Sequence, residues 1–124
     1  MNLVDSSGWL TYLADEPNAD AFSVPLNDTT NLIVPAICLY EVFKVVLRER
    51  GEDEALQSIA LMKQGILIEL TSEIAILAAK VSIHHKIPMA DSIILATAQT
   101  YEAVIWTEDT DFKGIKGVKY FPKK

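Results

Sequence analysis

Ile87-Pro88-Met89-Ala90-Asp91-Ser92-Ile93-Ile94-Leu95-Ala96-Thr97-Ala98 is the stretch around which the rest of the chain is arranged. Pro88 discourages a helix behind it, and Ile93, Ile94, Leu95, Ala96 and Ala98 leave almost no polar face ahead. The segment therefore predicts a helix buried nearly all round. Asp91 falls in its first turn. A carboxylate there is a cap, a dipole partner or a ligand, because an uncompensated buried charge is costly. The choice depends on where the other acids fall.

Immediately upstream, Thr71-Ser72-Glu73 starts a helix with Ile74, Leu77, Ala78, Val81 and Ile83 apolar along its body and His84-His85-Lys86 at its end. Cations in a last turn suit the helix dipole, and adjacent helical positions point apart, so the histidines read as surface residues rather than metal ligands. Downstream, Ala103 to Trp106 is a strand running into Thr107-Glu108-Asp109-Thr110-Asp111-Phe112. Turn residues through Gly114 and Gly117 then lead to a last strand, Val118 to Phe121.

The first half repeats the pattern. Leu3 and Val4 form a short strand ending in Asp5-Ser6-Ser7, where Ser6 or Ser7 can cap a helix from Gly8 to Ala14 with Trp9, Leu10 and Leu13 on one face. Asp15 to Asn31 is a loop around one short helix near Ala19 to Val24. Leu32-Ile33-Val34 is a strand stopped by Pro35, and a helix from about Ile37 to Arg50 ends at Gly51. Its apolar stripe is Leu39, Val42, Phe43, Val46 and Leu47; Glu41, Lys44 and Arg48 lie opposite, where Glu41 can pair with Lys44. Glu52 to Gln64 is a further helix with Ala55, Leu56, Ile59, Ala60 and Met62 inward, and Gly65 precedes a strand from Ile66 to Leu70. Strands alternating with helices argue for an α/β sandwich around a mostly parallel sheet.

The 124 residues suffice for one domain, 1–124, and not for two. Half are hydrophobic, yet no run approaches the roughly 20 residues of a membrane span, and the amino terminus lacks signal-peptide character. These features point to a cytoplasmic protein with no membrane association. Cys38 is the only cysteine, which excludes an internal disulfide and a cysteine-based metal site; its neighbours make it a small buried apolar residue. A net charge of −6 opposes broad affinity for nucleic acid. The charge is uneven, however: residues 1 to 62 hold ten acids and three bases, whereas Lys113 to Lys124 holds five lysines and no acid. An acidic total can hide a basic rim.

In a parallel sheet the carboxyl ends of the strands share one edge, where open α/β folds place their sites. Asp5 ends the first strand, Glu41 comes one turn into the helix after the second, Asp91 opens the buried helix, and Asp109 follows the fourth strand. Two like charges about 4 Å apart repel by around 4 kcal/mol at an effective dielectric of about 20, so such a cluster persists only if protons or cations neutralise it. With oxygen ligands alone, the expected cation is Mg²⁺ or Mn²⁺. The chemistry that follows is metal-dependent hydrolysis of a phosphate ester.

Pro88-Met89-Ala90-Asp91 with its apolar helix, a strand, and Thr107-x-Asp109-x-Asp111-Phe112 resembles the C-terminal half of PIN-domain ribonucleases. Val4-Asp5-Ser6-Ser7 and Tyr40-Glu41-Val42 match their first and second acidic positions, and the compact size is most similar to the VapC-type toxins of toxin-antitoxin pairs. The resemblance implies a PIN-like sandwich with a five-stranded parallel sheet flanked by helices. It implies that Asp5, Glu41 and Asp91 are catalytic metal ligands with Asp109 as the fourth acid, Asp111 being its possible substitute. Ser6 and Thr107 would be hydroxyl groups supporting the water on the ion. It also implies an RNA substrate, homodimers and a small antitoxin partner whose tail crosses the site. Lys44 and Arg48, beside Glu41, are candidate phosphate contacts. The chain departs from the family in its acidity and in Tyr101-Glu102, where a small residue is expected.

Other readings fit less well. A phosphate-accepting receiver domain needs adjacent acids after the first strand and an Asp ending the third; this chain has one and none. A phosphatase with an Asp nucleophile wants a second acid two residues on, which Asp5-Ser6-Ser7 lacks. A PIN-like binding module without catalysis is opposed by the presence of all four acids.

Overall fold

The computed structural model describes all of residues 1–124. Five strands, β1 (Asn2–Val4), β2 (Leu32–Pro35), β3 (Ile66–Ile68), β4 (Val104–Thr107) and β5 (Val118–Tyr120), form one sheet in the order β3-β2-β1-β4-β5. Every pairing is parallel, so the expected mostly parallel sheet is wholly so. Leu3 pairs with Ile33 on one side and Ile105 on the other. Six helices connect and cover the strands: α1 (Ser6–Leu13), α2 (Ala19–Leu26), α3 (Ala36–Arg50), α4 (Glu52–Met62), α5 (Ser72–His85) and α6 (Met89–Thr100). None is long and apolar enough to cross a membrane.

The strand order steps outward from β1 to β3, then returns to lay β4 beside β1. That reversal makes the carboxyl ends of β1 and β4 a topological switch point, the place where open α/β sheets bind ligands. Packing is close where α1 leaves β1. A Cβ on Gly8 would lie 2.5 Å from Val4 Cγ1 and 3.0 Å from the Phe22 ring, so only glycine lets α1 follow β1 this closely under α2.

The buried core runs from Leu3, Val4 and Ile33 in the sheet to Trp9, Phe22, Ile94, Leu95 and Phe112. Helix α6 supplies five consecutive buried residues, Ile94 to Ala98, as its composition requires. It starts at Met89, directly after Pro88 as the sequence reading requires, and ends at Thr100. Ser92 sets the start by donating to the carbonyl oxygens of Ile87 and Pro88.

Several helical faces are rotated from the sequence reading. On α3 the buried line is Cys38, Val42 and Val46, and Leu47 is exposed. On α4, Ser58 is buried while Leu56 and Ala60 face solvent, and on α5 Ile83 is exposed. Each helix packs along a narrow line, so apolar residues one step off it stay wet. Gly51 has φ of 91°, which ends α3 where the sequence places the break. Glu102 has φ of 52°, the left-handed backbone that makes a small residue the natural occupant of that turn.

Candidate active site

Asp5, not Ser6 or Ser7, caps α1. Its Oδ1 accepts from the Gly8 amide at 2.9 Å and from Ser7 Oγ at 2.7 Å. Its Oδ2 accepts from Thr107 Oγ1 at 2.6 Å, a bond that staples the ends of β1 and β4 together. A carboxylate oxygen has two lone pairs, so Oδ1 is full while Oδ2 retains one. Asp5 is 2% exposed, and burial pushes its carboxyl up to about 6 against the pull of those donors.

Asp91 does not cap α6. That role falls to Pro88, which has no side-chain bond to offer, and Asp91 sits half-buried in the first turn. Oxygens of Asp91, Asp109 and Asp111 lie within 4.8 Å of one another. Burial, then the charges of Asp109 and Asp111, push the Asp91 carboxyl up to about 8, with Asp5 adding to the effect. Asp109 takes its place through two short backbone bonds: its amide donates to Thr107 Oγ1 at 2.8 Å, and its Oδ1 accepts from the Asp111 amide at 2.9 Å. Both acids between which the sequence could not choose thus belong to the cluster.

Glu41 approaches from α3. Its Oε1 accepts from Ser6 Oγ at 2.6 Å, and it forms no ion pair with Lys44, contrary to the solvated pair read from helical spacing. The Lys44 ammonium lies instead 5.6 Å above the Tyr40 ring. Arg48 contacts its neighbour Glu49 at 3.4 Å. Burial pushes the Cys38 thiol up, and the charges of Asp5, Glu41 and Asp91 add to that push. Cys38 is the inert small residue expected of its surroundings.

Two features were not singled out by sequence. Ser7 accepts from the Glu108 amide at 3.1 Å while donating to Asp5, so it joins α1 to the loop after β4. Glu108 itself accepts from Thr11 Oγ1 and from Asn18 Nδ2, the latter at 2.6 Å. Glu108 faces α1 and α2 rather than the acids, which separates it from its neighbour Asp109. The only signal in sequence is its setting in a run of alternating acids. A groove of about 700 Å³ between α1, α3 and α4 shares no residue with the cluster.

The donor set suits a hard divalent cation. It is all oxygen, holds at least three carboxylates within reach of one ion, and has no lysine or arginine among it. A family model for the PIN domain matches residues 3–118, which include all these acids. The chain belongs to the PIN-domain family. None of the curated proteins matches it in sequence. Solved structures do match this PIN domain in fold. A toxin-antitoxin complex from Klebsiella pneumoniae superposes with TM-score 0.84 at 23% identity, covering 100% of both chains. The sarcin-ricin loop cleaving toxin VapC20 of Mycobacterium tuberculosis gives 0.81 at 16% identity, covering 98% of this chain and 100% of that one. VapBC2 from Rickettsia felis, bound to a fragment of its promoter DNA, gives 0.76 at 12% identity over 98% of each chain.

Proposed function

We propose that this PIN domain is a Mg²⁺- or Mn²⁺-dependent endoribonuclease, the toxin of a toxin-antitoxin pair, acting in the cytoplasm as a homodimer and held in check by a small antitoxin. The observation that carries the reading is the gathering of Asp91, Asp109 and Asp111 within 4.8 Å, with no lysine or arginine paired to them, at the switch point of the sheet beside Asp5. A protein that only bound a partner through this edge would gain nothing from such repulsion. The toxins and toxin-antitoxin complexes that share its fold support the biological setting.

Asp5, Asp91, Asp109 and Asp111 would hold the ion, with Glu41 completing the set. A divalent ion held by these carboxylates would neutralise them and would supply Lewis-acid activation of a water and charge stabilisation for phosphodiester hydrolysis. The chain's own residues prepare that chemistry. Thr107, Ser7 and the Gly8 amide fix the Asp5 carboxylate and leave one lone pair on Oδ2 for a ligand. Ser6 holds Glu41 by one oxygen, so Oε2 is open. Lys44 and Arg48, on the exposed side of α3, are proposed phosphate contacts; Lys44, with no acid partner, is the freer of the two.

The test is cleavage of tRNA and rRNA fragments with and without Mg²⁺. The expected result is metal-dependent cleavage that Asp5→Asn and Asp91→Asn abolish while circular dichroism reports an intact fold. Cleavage that survives either change, or continues in excess chelator, overturns the assignment.

A further inference from the structure

The chain carries an acidic total, yet five of its eleven lysines and arginines fall in its last twelve residues, and all five are exposed. None of Lys113, Lys116, Lys119, Lys123 and Lys124 comes within salt-bridge distance of an acid. The Lys119 ammonium rests 4.4 Å above the Trp106 ring, and the Lys113 ammonium 5.7 Å above Tyr120. Trp106 stacks on Phe121 at 5.8 Å, with the two rings 15° from parallel. Lysines interleaved with half-exposed aromatic rings make a surface suited to a flexible polyanion that also carries flat bases.

The fold moors this segment to the acid cluster. Phe121 donates its amide to the Thr107 carbonyl at 2.8 Å, and the hydroxyl of that same threonine grips Asp5. Asn18 donates to the Pro122 carbonyl at 2.9 Å and to Glu108 at 2.6 Å, so the chain enters Lys123-Lys124 from a fixed point beside the loop that holds Asp109. Lys113 follows Asp111 by two residues. Lys116 alone lies elsewhere, beside Gln99, Glu102 and Val104 at the amino end of the strands.

We propose that Lys113, Lys119, Lys123 and Lys124 form a phosphate-binding rim that leads single-stranded RNA from the β5 edge into the acid pocket. The proposal rests on the nuclease reading for what the RNA meets there. An acidic peptide would suit the lysines equally but brings no flat bases to lie against the half-exposed rings of Trp106, Tyr120 and Phe121, which single-stranded RNA does.

The experiment uses the full chain in the Asp91→Asn background, in chelator, with a labelled oligouridylate as probe. Lys113→Ala, Lys119→Ala, Lys123→Ala and Lys124→Ala combined should weaken binding about tenfold or more and lower the log-log salt slope by up to about three. Replacing the same four by arginine should restore both. Lys116→Ala, at the other end of the sheet, should change neither beyond a small general charge effect. Equal losses per charge from Lys116→Ala and Lys123→Ala would overturn the rim in favour of net charge. Unchanged RNA binding, or binding lost only for polyglutamate, would overturn it in favour of no site or of an acidic protein partner. A wild-type chain that binds through these lysines yet never cleaves would refute the nuclease reading and leave the rim standing.

Discussion

Two parts of this molecule use charge to opposite ends. At the corner between α3 and α4, Arg48 lies 3.4 Å from Glu49 and Arg50 lies 3.6 Å from Glu54, all of them more than half exposed. Water and an opposite charge neutralise each group, and neither pair contributes more than a few tenths of a kcal/mol. Beyond the carboxyl ends of β1 and β4, Asp5, Asp91, Asp109 and Asp111 are drawn together with hydroxyls and amides but no cation. There burial and mutual repulsion raise Asp5 to about 6 and Asp91 to about 8. Charge that is solvated and paired serves solubility; acids gathered without a lysine or arginine among them are what a divalent cation would neutralise.

The comparison breaks hardest if the gathered acids prove dispensable. Asp91→Asn should abolish RNA cleavage, a loss of at least about a thousandfold that corresponds to the several kcal/mol metal-ion chemistry contributes. The same substitution should raise the melting temperature in the absence of divalent ions, because it removes a repelled carboxylate. Activity and stability measured side by side must move in opposite directions. A second expectation concerns the wild type: Mg²⁺ at a hundredfold excess over its dissociation constant should stabilise the fold by about 2.7 kcal/mol, read as a shift in the urea midpoint. A midpoint indifferent to Mg²⁺ would make the cluster resemble the solvated corner.

Thr107→Val should lower cleavage about tenfold to a hundredfold and destabilise by roughly 1–2 kcal/mol, since it removes the donor to Asp5 and orphans the Asp109 amide. Thr107→Ser should recover most of the loss.

The pH dependence has a definite sign. Asp5 and Asp91 titrate above the ordinary carboxyl value of 3.8, so between about pH 4 and pH 8 the folded chain holds protons that the unfolded chain has released. Without divalent ions stability should therefore fall as pH rises through that window, and urea titrations near pH 5 and near pH 9 compare the two ends. Saturating Mg²⁺ should flatten or reverse the trend. Arg50→Ala, at the paired corner, should change stability by less than about 0.5 kcal/mol at any pH.

How far the sequence could be read differs between these regions for a physical reason. Helical spacing suggested that Glu41 pairs with Lys44, because residues three apart on a helix are neighbours. Ser6, thirty-five residues away in the chain, takes Glu41 instead with a 2.6 Å bond. Asp5 was legible as the acid that ends a strand, but its role as the cap of α1 was not, since Ser6 and Ser7 are equally good caps by type. Asp91 taken alone reads as a cap, a dipole partner or a ligand; the folded chain rules out the cap and brings Asp109 and Asp111 within reach of it. Buried faces were misjudged on α3, α4 and α5, where one apolar residue looks like another until a neighbour chooses between them.

From composition and periodicity alone came the alternation of strands and helices, the parallel sheet, the nearly all-apolar α6 and the set of acids worth watching, because local backbone preference and hydrophobic pattern are written in consecutive residues. The strand order, the switch point at β1 and β4, the stapling of Asp5 by Thr107 and the mooring of the lysine-rich end came only from the folded chain. Those depend on contacts across about a hundred residues of separation, and a carboxylate's charge state is decided by what surrounds it in space rather than by what precedes it.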